Sequence, residues 1–109
     1  PLGENILSEE SLKTVRDGMW SAVNGPRATI RGVAGISGVS VAAKTGTAEF
    51  GTLNKKGEYE HTHAWVTTFF PTEAPKYALT IFLEDGGQSY NAAKSAKEII
   101  TWMKDNGKL

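Results

Sequence analysis

Apolar residues recur at three- and four-residue intervals near both ends of the chain and at shorter intervals between them, a pattern that predicts helices outside and strands inside. Leu12, Val15, Met19, Ala22 and Val23 form a helical stripe behind Ser8, whose hydroxyl suits an N-cap, and Leu7 and Leu12 are spaced as a hydrophobic staple. Gly25-Pro26 ends that helix. Residues 26–38 hold three glycines and neither period, so they read as a loop, and Val39 to Thr45 reads as a first strand. Gly51 to Thr62 is polar and turn-rich and reads as a long hairpin connection, with Asn54 and Gly57 suited to a tight turn. His63 to Phe70 is the second strand, Pro71 to Lys76 the next turn, and Tyr77 to Leu83 the third strand, closed by Glu84-Asp85-Gly86-Gly87. From Ser89 to Asn106 a second helix places Ala92, Ala93, Ala96, Ile99, Ile100 and Met103 on one stripe and ends at Gly107.

The order is helix, three strands, helix, which is an α+β arrangement with an antiparallel meander, because short connections join consecutive strands. In the third strand Tyr77, Leu79, Ile81 and Leu83 alternate with Ala78, Thr80 and Phe82, so both faces are largely apolar and both want cover. No internal repeat or low-complexity segment interrupts the order.

Composition narrows the function classes. The chain of 109 residues is one domain or a piece of one, and its 12 basic and 12 acidic residues cancel, which argues against a nucleic-acid partner. Small molecules or peptides are the expected ligands. With no cysteine there is no disulfide, thiolate nucleophile or cysteine-based zinc site. The longest apolar runs fall well short of the ~18 residues of a membrane span, and no signal-like segment opens the chain. Pro1-Leu2-Gly3 has the look of an engineered protease-site remnant, so the fold is argued from residues 4–109.

The chemistry concentrates in V-A-A-K-T-G-T-A-E, residues 41–49, where an apolar strand pattern gives way to a cation, two hydroxyls and a glycine. Taken alone, Lys44-Thr45-Gly46-Thr47 also suits an exposed strand end: threonine favours strands, lysine guards edges and glycine marks bulges. The longer string is more specific. K-T-G-T-A-E on a strand, followed by H-A-W-V on the next, resembles the penicillin-binding protein transpeptidase family and in particular its class B members. S-E-E-S-L-K-T-V-R-D-G-M-W-S-A-V resembles the helix before the lysine strand, and T-H-A-W-V-T-T-F-F-P and Y-A-L-T-I-F-L-E-D-G-G resemble the strands after it.

The resemblance implies a C-terminal part of the larger transpeptidase fold, outside the cytoplasmic membrane and anchored by an upstream segment. Its implied reaction is cross-linking of peptidoglycan stem peptides through an acyl-serine intermediate, with β-lactams as inhibitors and no cofactor or metal. Lys44 and Thr45 would hold the substrate carboxylate. Gly46 would let the acyl chain lie against the backbone, and Thr47 would give its backbone N–H to the oxyanion hole. Strand alternation raises a geometric question, since neighbours such as Lys44 and Thr45 point to opposite faces.

Two family motifs depart from the pattern. No serine here is followed by lysine three residues later, so the Ser-x-x-Lys nucleophile is absent and the chain alone is expected to be inactive. Ser89-Tyr90-Asn91 matches Ser-x-Asn by letter but follows the lysine strand, whereas the family's motif precedes it, so these residues read as turn and helix cap. His61 and His63, with Glu60 nearby, read as strand-edge residues rather than zinc ligands. Trp20, Trp65 and Trp102 read as core or helix–sheet contacts, and Glu49 as a salt-bridge or rim residue. Two other readings stand beside the transpeptidase one: a non-catalytic β-lactam-sensing or carboxylate-binding module, and a purely structural α+β domain. In the family sheet the third strand pairs with strands from the N-terminal part of the domain. Residues 77–83 are therefore expected to form an open edge that self-associates or binds that part.

Overall fold

A computed structural model describes residues 6–109. Residues 1–5, and with them the protease-site reading of residues 1–3, lie outside the described residues. The order is α1 (Glu9–Asn24), a short 3₁₀ turn (Arg31–Val33), β1 (Ala42–Leu53), β2 (Tyr59–Phe70), β3 (Tyr77–Leu83) and α2 (Ser89–Asp105). The three strands form one antiparallel sheet in the order β1-β2-β3, as the short connections require.

Ser8 caps α1 by accepting the backbone N–H of Ser11 at 3.1 Å, with Glu9 and Glu10 in the first turn where the helix dipole favours negative charge. Leu7 is exposed, so little apolar area closes across that cap. The stripe buries Val23 and leaves Val15 exposed. Asn24, on the last turn, donates from its side chain to the carbonyl of Val41 at 2.9 Å and ties the helix end to the entrance of β1.

Two expectations need correction. The stretch at 26–38 is not an empty connection: Ile30, Val33 and Ile36 are core residues, and the 3₁₀ turn lies against α2. Gly32 is required there, because a Cβ would come within 2.7 Å of the Ala93 Cβ. The long polar connection expected at 51–62 is mostly strand. β1 runs to Leu53 and β2 starts at Tyr59, with an irregularity between Phe50 and Leu53. The true turn is residues 54–58, where the Asn54 side-chain oxygen accepts from the N–H groups of Lys56 and Glu58 and Gly57 takes a φ of 79°.

The register sorts the sheet into two faces. Thr45 opposite Val66 and Ile81, and Ala43 opposite Thr68 and Leu79, belong to the face that packs on α2 through Ala92, Ala93, Ala96 and Ile100. Thr68, the one buried polar side chain among the described residues, donates to the Leu79 carbonyl at 3.2 Å. The opposite face carries Lys44, Gly46, His61, His63, Trp65 and Phe82, and Trp65 and Phe82 stay 40% and 46% exposed. Strand three forms an edge of the sheet, as the resemblance implied, but it is covered on one side only: Ala78, Thr80 and Phe82 are exposed, although both apolar faces were expected to find cover.

Candidate functional site

β1 holds the K-T-G-T residues midway along its length. Val41, Ala42 and Ala43 are buried, and from Lys44 onward the strand leaves the core, so the polar string starts where burial stops. Lys44 pairs with Thr67, Thr45 with Val66, Gly46 with Trp65 and Thr47 with Ala64. The side chains of Lys44 and Thr45 do belong to opposite faces by register. They nevertheless line one groove of about 440 Å³, together with Thr14, Val15, Gly18, Met19 and Ala22 of α1 and with Thr29 and Ile30. The edge position resolves the geometric question: β1 pairs only with β2, and α1 lies against it, so side chains from both faces can turn around a free edge.

The electrostatics leave Lys44 available. Its ammonium donates to the Thr45 carbonyl at 2.5 Å and is exposed, and among the described residues no carboxylate forms a salt bridge with it. Gly46 has extended rather than left-handed backbone, and a Cβ there would meet only Trp65, at 3.7 Å, which is ordinary contact. Neither turn geometry nor packing within the described chain demands glycine at this position. Thr47 is exposed, beyond the residues that line the groove.

Other residues singled out from the sequence fall elsewhere. Ser89-Tyr90-Asn91 forms the first turn of α2 and lines no groove with Lys44 or Thr45; Gln88 occupies the cap position, not Ser89, and no side chain caps there. Asn91 instead holds the Gly86 carbonyl at 2.8 Å. Trp20 lines a second groove with Arg16, Asp17, Phe69, Thr72 and Glu73. Trp20, Trp65 and Trp102 are all exposed, which corrects the core half of their reading as core or helix–sheet contacts. His61 and His63 are engaged with Phe50 and Asp85. Glu49 lies outside every salt bridge among the described residues.

One organising residue escaped the sequence reading. Ser40, at the entrance to β1, donates to the Glu73 carboxylate and accepts from the N–H and hydroxyl of Thr72, at 3.0 and 2.8 Å. These bonds hold the Glu73 carboxyl below its ordinary range, the Ser40 bond most of all, followed by the residue's own N–H and then Thr72.

The family model of the penicillin binding protein transpeptidase domain matches residues 1–102. The chain belongs to the penicillin-binding protein transpeptidase family. It is 32% identical over 99 residues to the peptidoglycan D,D-transpeptidase MrdA of Haemophilus influenzae, in a match that covers 83% of this chain and 15% of that protein. Among solved structures it resembles PBP2 of Helicobacter pylori in its complex with MreC, with a TM-score of 0.77 and 30% identity over 94% of this chain and 19% of that one. It also resembles the imipenem acyl-enzyme complex of penicillin-binding protein A from M. tuberculosis, with a TM-score of 0.65 and 31% identity over 86% of this chain and 19% of that one. The chain thus spans about a fifth or less of the length of these relatives. Its helix–sheet–helix unit is a portion of the class B penicillin-binding protein transpeptidase fold, as its motifs indicated. Among the described residues no helix is long and apolar enough to cross a membrane.

Proposed function

We propose that this chain supplies the carboxylate-binding and oxyanion strand of a peptidoglycan D,D-transpeptidase. Lys44 attracts the terminal carboxylate of a stem peptide or the carboxylate of a β-lactam, and the Thr45 hydroxyl hydrogen-bonds it. The Thr47 backbone N–H stabilises the oxyanion of the tetrahedral intermediate. Gly46 keeps a path open for the acyl chain along the strand. The observation that carries this reading is the groove at the free edge of β1, where Lys44 and Thr45 meet although strand alternation separates them. Beside it stand a lysine with no salt bridge among the described residues and, two residues on, a glycine for which neither backbone conformation nor packing gives an internal steric cause.

The nucleophile belongs to chain outside these residues, since the sequence holds no Ser-x-x-Lys. Acyl transfer runs from a donor peptide to that serine, releasing D-alanine, and then to an acceptor amine, with this strand serving both steps by binding and charge stabilisation. The site works on the outer side of the cytoplasmic membrane, where peptidoglycan is assembled. The remaining N-terminal part of the same domain is the partner that completes it. Labelling with a fluorescent penicillin tests this division of labour: the longer protein labels covalently and this chain alone does not. A stoichiometric acyl adduct on any serine of the chain alone would overturn it.

A further inference from the structure

We propose that His63 is a positioning residue, which fixes the outer half of β1, and through it the Thr47 backbone N–H, by accepting a hydrogen bond from the main chain of Asp85. The proposal rests on the reading of Thr47 given above and extends it to residues outside the K-T-G-T string.

Beyond Ala43 no residue of β1 is buried, so core packing does not hold this half of the strand in place. This half pairs with β2 through the main-chain ladder, and a cluster built from both later strands and the β3–α2 turn braces that pairing at His63. His63 sits opposite Ala48, the residue after Thr47, and the Phe50 ring stacks on the His63 ring with centroids 4.1 Å apart and 14° between planes. Phe50 also stacks on His61 at 5.1 Å, and the Phe82 ring of β3 packs against His63 at 5.1 Å. The backbone N–H of Asp85 donates to His63 Nδ1 at 3.1 Å, and the Asp85 carboxylate lies 2.9 Å from His61 Nδ1.

Asp85 has a φ of 48°, a left-handed conformation uncommon away from glycine that persists only where surroundings fix it. Here its backbone N–H meets His63 and its carboxylate meets His61. The same turn is tied to β2 a second time, by reciprocal bonds between Thr62 and Gly87 at 3.2 and 2.8 Å. With Nδ1 accepting from the Asp85 N–H, the His63 ring is fixed in plane by one hydrogen bond and on its flanks by two aromatic rings. An aromatic residue without a ring acceptor at this position would keep the stacking and lose the bond. A misplacement of the oxyanion donor by a fraction of an ångström is costly in rate, which makes the acceptor matter to chemistry.

The test compares His63→Phe, which retains an aromatic ring, with His63→Asn, whose side-chain oxygen takes the place of Nδ1, in the longer protein, using a fluorescent penicillin. Lys44→Ala is carried in the same series. The expected result is that His63→Phe slows the acylation step about 10-fold with the pre-covalent dissociation constant within about two-fold, that His63→Asn stays within about three-fold of the parent, and that Lys44→Ala is slow. Deuterium exchange of the segment at 45–50 should rise in His63→Phe and not in His63→Asn. If Lys44→Ala is slow while His63→Phe acylates normally, the positioning role is overturned and the carboxylate-binding reading stands. If both histidine variants slow equally, the role is structural and the proposal also falls. If Lys44→Ala acylates normally, the reading of the strand fails and takes the proposal with it.

Discussion

Gly46 pairs directly with Trp65 across β1 and β2, and a Cβ built on Gly46 would stop 3.7 Å from that of Trp65. The glycine is therefore not needed by its own fold. Gly46→Ala in the longer protein should leave thermal stability unchanged or slightly raised, since removing a glycine from compatible backbone gains about 0.4–1 kcal/mol through the unfolded state. β-Lactam acylation should fall by about 10-fold or more, because the methyl occupies the path of the acyl chain. Loss of stability with unchanged acylation would assign Gly46 to folding instead.

Ser40 and Glu73 give the entrance to β1 an acid-sensitive contact. The folded Glu73 carboxyl sits below the ordinary value of 4.5, chiefly through the Ser40 hydroxyl. A lowered folded-state value means that the stabilisation is complete above the unfolded value and is lost as pH falls through the folded one. Urea unfolding midpoints measured from neutral pH down through the carboxylate range should fall more steeply for the parent than for Ser40→Ala or Glu73→Gln. Parallel curves for all three would show that the contact contributes nothing to the acid limb.

β3 is an edge strand with Ala78, Thr80 and Phe82 exposed on one face. Half of its backbone groups point away from β2, where they are free to pair with another strand. In sedimentation velocity this chain should self-associate as concentration rises, and Thr80→Lys should suppress it by placing charge on the edge. Alternate amides of residues 77–83 should exchange fast in the dilute chain and slow on association. A monomer at high concentration with all of these amides protected would show the edge to be closed by other means.

How much of this was legible in the sequence depended on burial. β3 matches its expected limits because both of its faces carry apolar residues that set a clear strand signal, and α2 because Ala92, Ala93, Ala96 and Ile100 share one buried stripe. The outer half of β1 was hidden for the opposite reason. Glu49, Gly51 and Thr52 are exposed and lie in a hairpin arm that no core residue covers, so polarity there mimicked a loop. Ile30, Val33 and Ile36 reach the core from irregular backbone, which has no period to detect. The K-T-G-T string itself, and the family it points to, were readable from residue types. The groove that joins Lys44 to Thr45 was not, because it depends on where α1 lies. Nor were the bonds from Ser40 to Glu73 and from Asp85 to His63, which span 33 and 22 residues.

The central claim is that Lys44 and Thr45 act together on a carboxylate while Ser89 does not. It is tested most directly by the second-order rate of β-lactam acylation in the longer protein carrying Lys44→Ala, Thr45→Val or Ser89→Ala. A charge-assisted hydrogen bond is worth about 1.5–3 kcal/mol, so each of the first two should slow acylation by roughly 10- to 100-fold. Ser89→Ala, in the first turn of α2, should stay within about two-fold of the parent. Equal losses from all three, or normal acylation by Lys44→Ala and Thr45→Val, would contradict the account.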